Sequence, residues 1–157
     1  MEHKQVRVGV GVLVWKDDKI VLVKRAASYG NCTWSPPGGH VEFGESAVET
    51  ARRETMEEIG IEIKNLEVLG FTEDITDIKH YVTIWVSANW ASGELKTKDI
   101  EFTEIGLFDV DNLPMPRFIS FENLLNGKGN LKKNMDLWKE KVEEQANRAC
   151  HSSDRPN

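Results

Sequence analysis

The stretch Gly39–Ile61, GHVEFGESAVETARRETMEEIGI, constrains this chain more than any other part of it. Seven carboxylates fall in it or just beyond: Glu42, Glu45, Glu49, Glu54, Glu57, Glu58 and Glu62. Ser46 followed three residues later by Glu49 is the signature of a capping box. Gly60 supplies a stop that tolerates positive φ. A helix is therefore predicted between them. Val48, Ala51, Thr55 and Ile59 form one stripe of that helix, which docks it on a sheet. Glu54, Glu57 and Glu58 have the i, i+3, i+4 spacing of a different face, left over a cleft. Like charges about 5 Å apart repel by roughly 3 kcal/mol at an effective dielectric near 20. A hard divalent cation relieves this conflict, because Mg²⁺ prefers carboxylate oxygens and completes its shell with water and substrate phosphates. The plainer reading is a solvated face salt-bridged to Arg52 and Arg53. That reading leaves unexplained why the acids share a face and why the turn PPGGH leads directly into them.

These residues resemble the Nudix (MutT-like) box, G-x5-E-x7-R-E-U-x-E-E-x-G-U, where U is bulky and apolar. Gly39, Glu45, Arg53, Glu54, Glu57, Glu58, Gly60 and Ile61 take its fixed positions. Thr55 departs from the first U, but its methyl can still turn inward. The resemblance implies an α+β fold: an α/β/α sandwich with a mixed sheet, the box forming a loop-helix-loop motif at its edge. It implies that Glu54, Glu57 and Glu58, with the backbone carbonyl of Gly39, hold an essential Mg²⁺ or Mn²⁺. It also implies a salt bridge between Glu45 and Arg53 that fixes the loop against the helix, a supporting rather than ligating role.

The resemblance does not place the base for the attacking water at one position. A box glutamate could serve, or an acid outside the box. Outside it, Glu104, shortly before Leu107-Phe108, is the first candidate, and Glu101 the second. Arg25 resembles a basic position that contacts phosphates in relatives. His40 could touch phosphate or donate a proton, or simply be a loop residue held by a backbone hydrogen bond. Tyr29, Trp34, Phe43, Tyr81 and Trp85 could offer a stacking wall for a ring. Only one or two of them are expected to touch ligand, with Trp34 packing beneath the box and His80 packed rather than catalytic.

The remainder of the chain reads as alternating strands and closing helices. Val6–Trp15 alternates, with Val6, Val8, Val10, Val12 and Val14 on one face. A turn at 16–19 leads to a strand over Ile20–Arg25 and a loop over Ala26–Pro37. Strands follow at Glu62–Glu73, His80–Trp90 and Ile105–Val110. A turn is expected over Asp74–Asp77 and a loop or hairpin over Ala91–Ile100. The His80 strand is bulky on both faces and should be central. Helices are expected over Ile119–Leu125 and Leu131–Ala146. The chain of 157 residues is expected to form a single domain over 1–147, followed by a disordered polar tail over 148–157.

The net charge of −6 argues against binding a nucleic-acid polymer, which needs a basic surface. An acidic protein acting on an anion needs a bridging cation, which agrees with the acid cluster. No apolar run is long enough to span a membrane. Cys32 and Cys150 lie outside metal or redox spacings and read as free thiols, pointing to a cytoplasmic location.

PPGGHVEFGES and HYV resemble the small nucleoside triphosphate pyrophosphohydrolases of the family, which release nucleoside monophosphate and pyrophosphate. ADP-ribose, a dinucleotide or an isoprenyl diphosphate are alternative substrates. A non-catalytic, nucleotide-sensing domain is an alternative of another class. Such domains usually lose box glutamates, whereas this chain keeps every charged box position. Relatives are frequently dimers, so homodimerisation stays open.

Overall fold

A computed structural model describes residues 4–26, 30–97 and 100–131. β1 (Val6–Lys16) and β2 (Lys19–Arg25) form a hairpin, and two short strands, β3 (Trp34–Ser35) and β4 (Gly38–His40), follow it. Helix α1 (Ala47–Ile59) leads into the long ribbon of β5 (Ile61–Ile75) and β6 (His80–Gly93). β7 (Phe102–Asp109), α2 (Ile119–Leu125) and β8 (Asn130–Leu131) complete the described fold.

The strands make one mixed sheet in the order β3-β2-β1-β6-β5-β8, with β4 paired to β1 and β7 to β2. β1 and β6 run parallel from Val6 opposite His80 to Trp15 opposite Asn89. β6 is therefore flanked by β1 and β5, as its two bulky faces require. The alternation of β1 sorts side chains between two cores. Val10, Val12 and Val14 join Ala51 and Ile59 of α1 on one face. Leu13 joins Trp85, Phe121 and Leu124 on the other, beneath α2. The result is the expected α+β sandwich, a mixed sheet with a helix against each face.

Several boundaries move for one reason: backbone pairing extends strands past their apolar patterns. β5 and β6 remain paired from Ile61 opposite Gly93 to Ile75 opposite His80. Asp74 and Ile75 therefore belong to a strand rather than to the expected turn, and β6 continues through Gly93 into the expected loop. The turn is 76–79, closed by Thr76 N–H donating to the Lys79 carbonyl at 2.8 Å. β7 begins at Phe102 because its ladder with β2 reaches Arg25. β3 lies inside the segment read as a loop and β4 directly after it, both too short to show periodicity.

Leu131, expected to open a helix, instead sits in β8 opposite Gly70. The rest of that expected helix, the tail over 148–157, Tyr29 and Cys150 lie outside the described residues. Cys32 is exposed and free.

Candidate active site

Helix α1 is fixed at both ends. Ser46 Oγ accepts from Glu49 N–H at 3.2 Å, and Glu49 Oε2 accepts from Ser46 N–H at 2.7 Å. Gly60 closes the helix at φ 72°. Ala51, Thr55 and Ile59 are fully buried. Thr55 satisfies its hydroxyl on the Ala51 carbonyl at 2.5 Å, which leaves its methyl for the core. The polar residue at an apolar box position is thereby accommodated, since a back-bonded hydroxyl carries no buried unsatisfied donor.

The acidic face converges on Arg53. Its Nε and Nη2 make a forked pair with Glu45 at 2.7 and 2.9 Å. Nη1 reaches Glu54 at 2.6 Å and Glu57 at 3.3 Å, and Nη2 also donates to the His40 carbonyl at 3.1 Å. One guanidinium therefore ties the loop to the helix and holds two of the acids. Arg53 hydrogen bonds, with help from the Thr50 hydroxyl, lower the Glu45 carboxyl to about 2. Hydrogen bonds to Glu45 and then Glu54, with the charges of Glu54 and Glu42, raise Arg53 above its ordinary value. Glu54 moves the other way. Burial pushes its carboxyl up and the Glu57 charge adds to the rise, against Arg53 and a hydrogen bond with Glu58.

Glu54 and Glu58 border a cleft of about 470 Å³, together with Gly38, Gly39 and His40. Glu58 Oε2 accepts from Gly38 N–H at 3.0 Å. A Cβ on Gly39 would collide with the Glu54 carboxylate, so the glycine is what lets the loop lie against the acid. Glu57 is largely exposed, held by Arg53, and is not among the residues lining the cleft.

Arg25 and His40, both expected to meet substrate, border the cleft. The Arg25 guanidinium lies 4.3 Å from the Phe118 ring centroid, and His40 stacks on Tyr81 with centroids 6.1 Å apart. Tyr81 and Trp85 are the two wall aromatics from the expected set that line it. Trp34 packs edge-on against Phe108, and Phe43 is fully exposed. His80 lies 3.9 Å from Glu73, away from the cleft.

The structure does not bring Glu104 to the cleft. It stands opposite Lys24 and pairs with Lys24 Nζ at 3.4 Å. Glu101 borders the cleft instead. The ladder between β2 and β7 shifts register between Lys24 and Arg25, a feature the sequence does not display. Asp74 also lines the cleft, on the strand segment read as a turn. No local pattern of residues points to it, because its placement depends on the length of the β5–β6 ladder.

Among the described residues, no three His, Cys, Asp or Glu side chains already stand in metal-ligating geometry. The donor chemistry nevertheless fits a hard cation, because the candidate ligands offer only oxygen and Glu54 and Glu58 border the cleft together. The family that the box resembles generally uses divalent metal ions.

A family profile described as NUDIX domain matches residues 5–125. The chain belongs to the Nudix family. This Nudix chain is 35% identical over 113 residues to an ADP-ribose pyrophosphatase from Methanocaldococcus jannaschii, covering 71% of the chain and 66% of that relative. It is 32% identical over 103 residues to an NAD-capped RNA hydrolase from Pseudomonas syringae, covering 66% of the chain and 36% of the relative. The Nudix chain thus spans from about a third to just under two thirds of the length of these relatives. A crystal structure of a MutT Nudix hydrolase from Burkholderia pseudomallei superposes with a TM-score of 0.73 at 30% identity, covering 78% of this chain and 97% of that one.

Proposed function

We propose that this chain is a Mg²⁺- or Mn²⁺-dependent pyrophosphohydrolase that cleaves nucleoside diphosphate-linked substrates, foremost a nucleoside triphosphate to nucleoside monophosphate and pyrophosphate. The observation that carries the reading is the meeting of Glu54, Glu58 and Gly39 at one end of a cleft large enough for a small molecule. Glu54, Glu57 and Glu58, with the Gly39 carbonyl, would hold the metal. When bound, such an ion neutralises phosphate charge and lowers the pKa of water. Glu45 supports the site through Arg53 and is not a ligand.

In the reaction a water oxygen forms a bond to phosphorus while the bridging P–O bond breaks. Pyrophosphate leaves with the bond electrons, and the water proton passes to a base. Glu101 borders the cleft and is our candidate outside the box for taking that proton; Glu104 is turned toward Lys24. Arg25 and His40 border the same cleft and would contact the phosphates. A cytoplasmic location belongs to this reading, supported by the free Cys32 thiol. No helix among the described residues is long and apolar enough to cross a membrane.

ADP-ribose is the second reading, favoured by the likeness to the archaeal ADP-ribose pyrophosphatase. The test is a Mg²⁺-dependent hydrolysis panel with product identification: nucleoside triphosphates, ADP-ribose, a dinucleotide and geranyl diphosphate. Glu58→Gln serves as the control. Monophosphate plus pyrophosphate from a triphosphate, lost in the variant, is the expected result. Turnover of geranyl diphosphate alone would overturn the substrate class. Metal binding without any turnover would revive the sensing-domain alternative.

A further inference from the structure

The cleft has a second polar end that the phosphate chemistry does not use. Asp74, on β5, is only 6% exposed and lines the cavity. Asn123 of α2, itself 8% exposed, donates from Nδ2 to Asp74 Oδ1 at 2.5 Å. Among the described residues nothing bonds the other carboxylate oxygen, Oδ2. Burial pushes the Asp74 carboxyl up against the opposing Asn123 hydrogen bond. Oδ2 is not among the fully buried atoms left without a partner, so its accepting capacity is open to an occupant of the cleft.

The floor of the cleft beside it is apolar. The Trp85 indole lies against Gly11, where a Cβ would strike it. Its N–H is already spent on Thr72 Oγ1 at 3.0 Å, and the ring, only 1% exposed, is a buried apolar floor beneath the cleft rather than a stacking face. Position fits as well. From β5 across β6 and β1 to β4 is three strand spacings, and Asp74 is level with Arg7 while Gly39 is level with Val10, three residues further along β1, so the two ends lie roughly 17 Å apart. A nucleotide reaches from phosphates at one end to its base at the other over such an interval.

We propose that Asp74, oriented by Asn123, is the specificity-determining contact for the substrate's base, accepting N–H donors from a ring edge such as guanine's. The inference rests on the nucleotide reading above and names the class of base. An ionised carboxylate only accepts, so it pairs with adjacent N–H groups and is repelled by a bare ring nitrogen. A donor-bearing edge would also favour the ionised form that burial disfavours.

The test is calorimetric binding of guanosine and adenosine 5′-monophosphates, which contain no anhydride to cleave, to wild type and Asp74→Asn without metal. Guanosine monophosphate should bind the wild type more tightly. Asp74→Asn keeps the volume and an oxygen for Asn123, yet should reduce the guanosine-over-adenosine ratio roughly ten- to a hundredfold. A purely structural role would weaken both ligands equally and leave the ratio unmoved, which overturns the proposal, as does a wild type with no preference. Melting curves of both proteins show whether the variant folds; if it does not, Asn123→Asp, which sets a second acid beside Asp74, must shift the same ratio or the proposal falls. Binding that depends on Asp74 in a protein that hydrolyses no nucleotide would sink the catalytic reading and leave this one standing. Nucleotide hydrolysis with an unchanged ratio would do the reverse.

Discussion

Two adjacent glycines should fail in different ways when each is given a methyl group. At Gly38 the new Cβ would overlap the Val10 carbonyl oxygen and lie 3.0 Å from Val10 C and 3.1 Å from Gly11 Cα. Those are backbone atoms of β1, which is paired to β6 on one side and to β4 on the other. Val10 is 3% exposed and Val12 is fully buried, so the strand has no room to yield. Overpacking of this kind costs about 1–3 kcal/mol. For a chain of this size that is a fall in Tm of about 2–12 °C. At Gly39 the Cβ would meet the Glu54 carboxylate, with Oε2 at 2.7 Å and Cδ and Oε1 closer. A carboxylate at the end of a flexible side chain can rotate away and be hydrated, so Gly39→Ala should cost about 1 kcal/mol or less. The rotation breaks the 2.6 Å bond to Arg53 and removes Glu54 from Glu58. Displacing a metal-site carboxylate should lower kcat/KM at least as much as losing an outer-shell partner, roughly 10- to 100-fold. Circular-dichroism melts and a Mg²⁺-dependent monophosphate assay on the two variants separate the effects. Full turnover in a folded Gly39→Ala protein would refute the idea that the position of Glu54 matters. An unchanged Tm in Gly38→Ala would refute the rigidity argued for β1.

Other expectations test the network and the proton acceptor. Arg53→Lys should lose at least about tenfold in activity while remaining folded, because an ammonium cannot reproduce the fork on Glu45 while holding Glu54 and the His40 carbonyl; wild-type kinetics in that variant would show the fork to be dispensable. Glu45, lowered to about 2 in the fold, contributes stability that is fully present above its unfolded value of 4.5. That contribution should fade as pH falls from 4.5 toward about 2, and Glu45→Gln should flatten this part of a Tm-against-pH curve. A curve of unchanged slope would contradict the assignment. Glu101→Gln should slow single-turnover cleavage by roughly 10²-fold or more, whereas Glu104→Gln should stay within about twofold. The opposite ranking would restore Glu104 as the base despite its pairing with Lys24.

What the sequence determined by itself is the local machinery. The capping box at Ser46 and Glu49, the stop at Gly60, and the spacing that sets Glu54, Glu57 and Glu58 apart from Ala51 and Ile59 all depend on residues within a turn or two of each other. Helical periodicity and near-neighbour hydrogen bonds are written in consecutive residues, so they can be read there. The alternation of β1 likewise announced a strand, and the bulk on both faces of β6 announced a central one. Tertiary structure decided who shares the cleft. Asp74 faces it because β5 stays paired with β6 beyond its apolar pattern, and Glu101 because of where the chain enters β7. Glu104, three residues further on, is carried to Lys24 by the register of that strand. Glu57 stays outside the cleft, held by the same Arg53 that reaches Glu42, Glu45, Glu54 and the His40 carbonyl. Such outcomes depend on pairings between residues tens of positions apart, where a one-residue change of register sends every side chain to the opposite face.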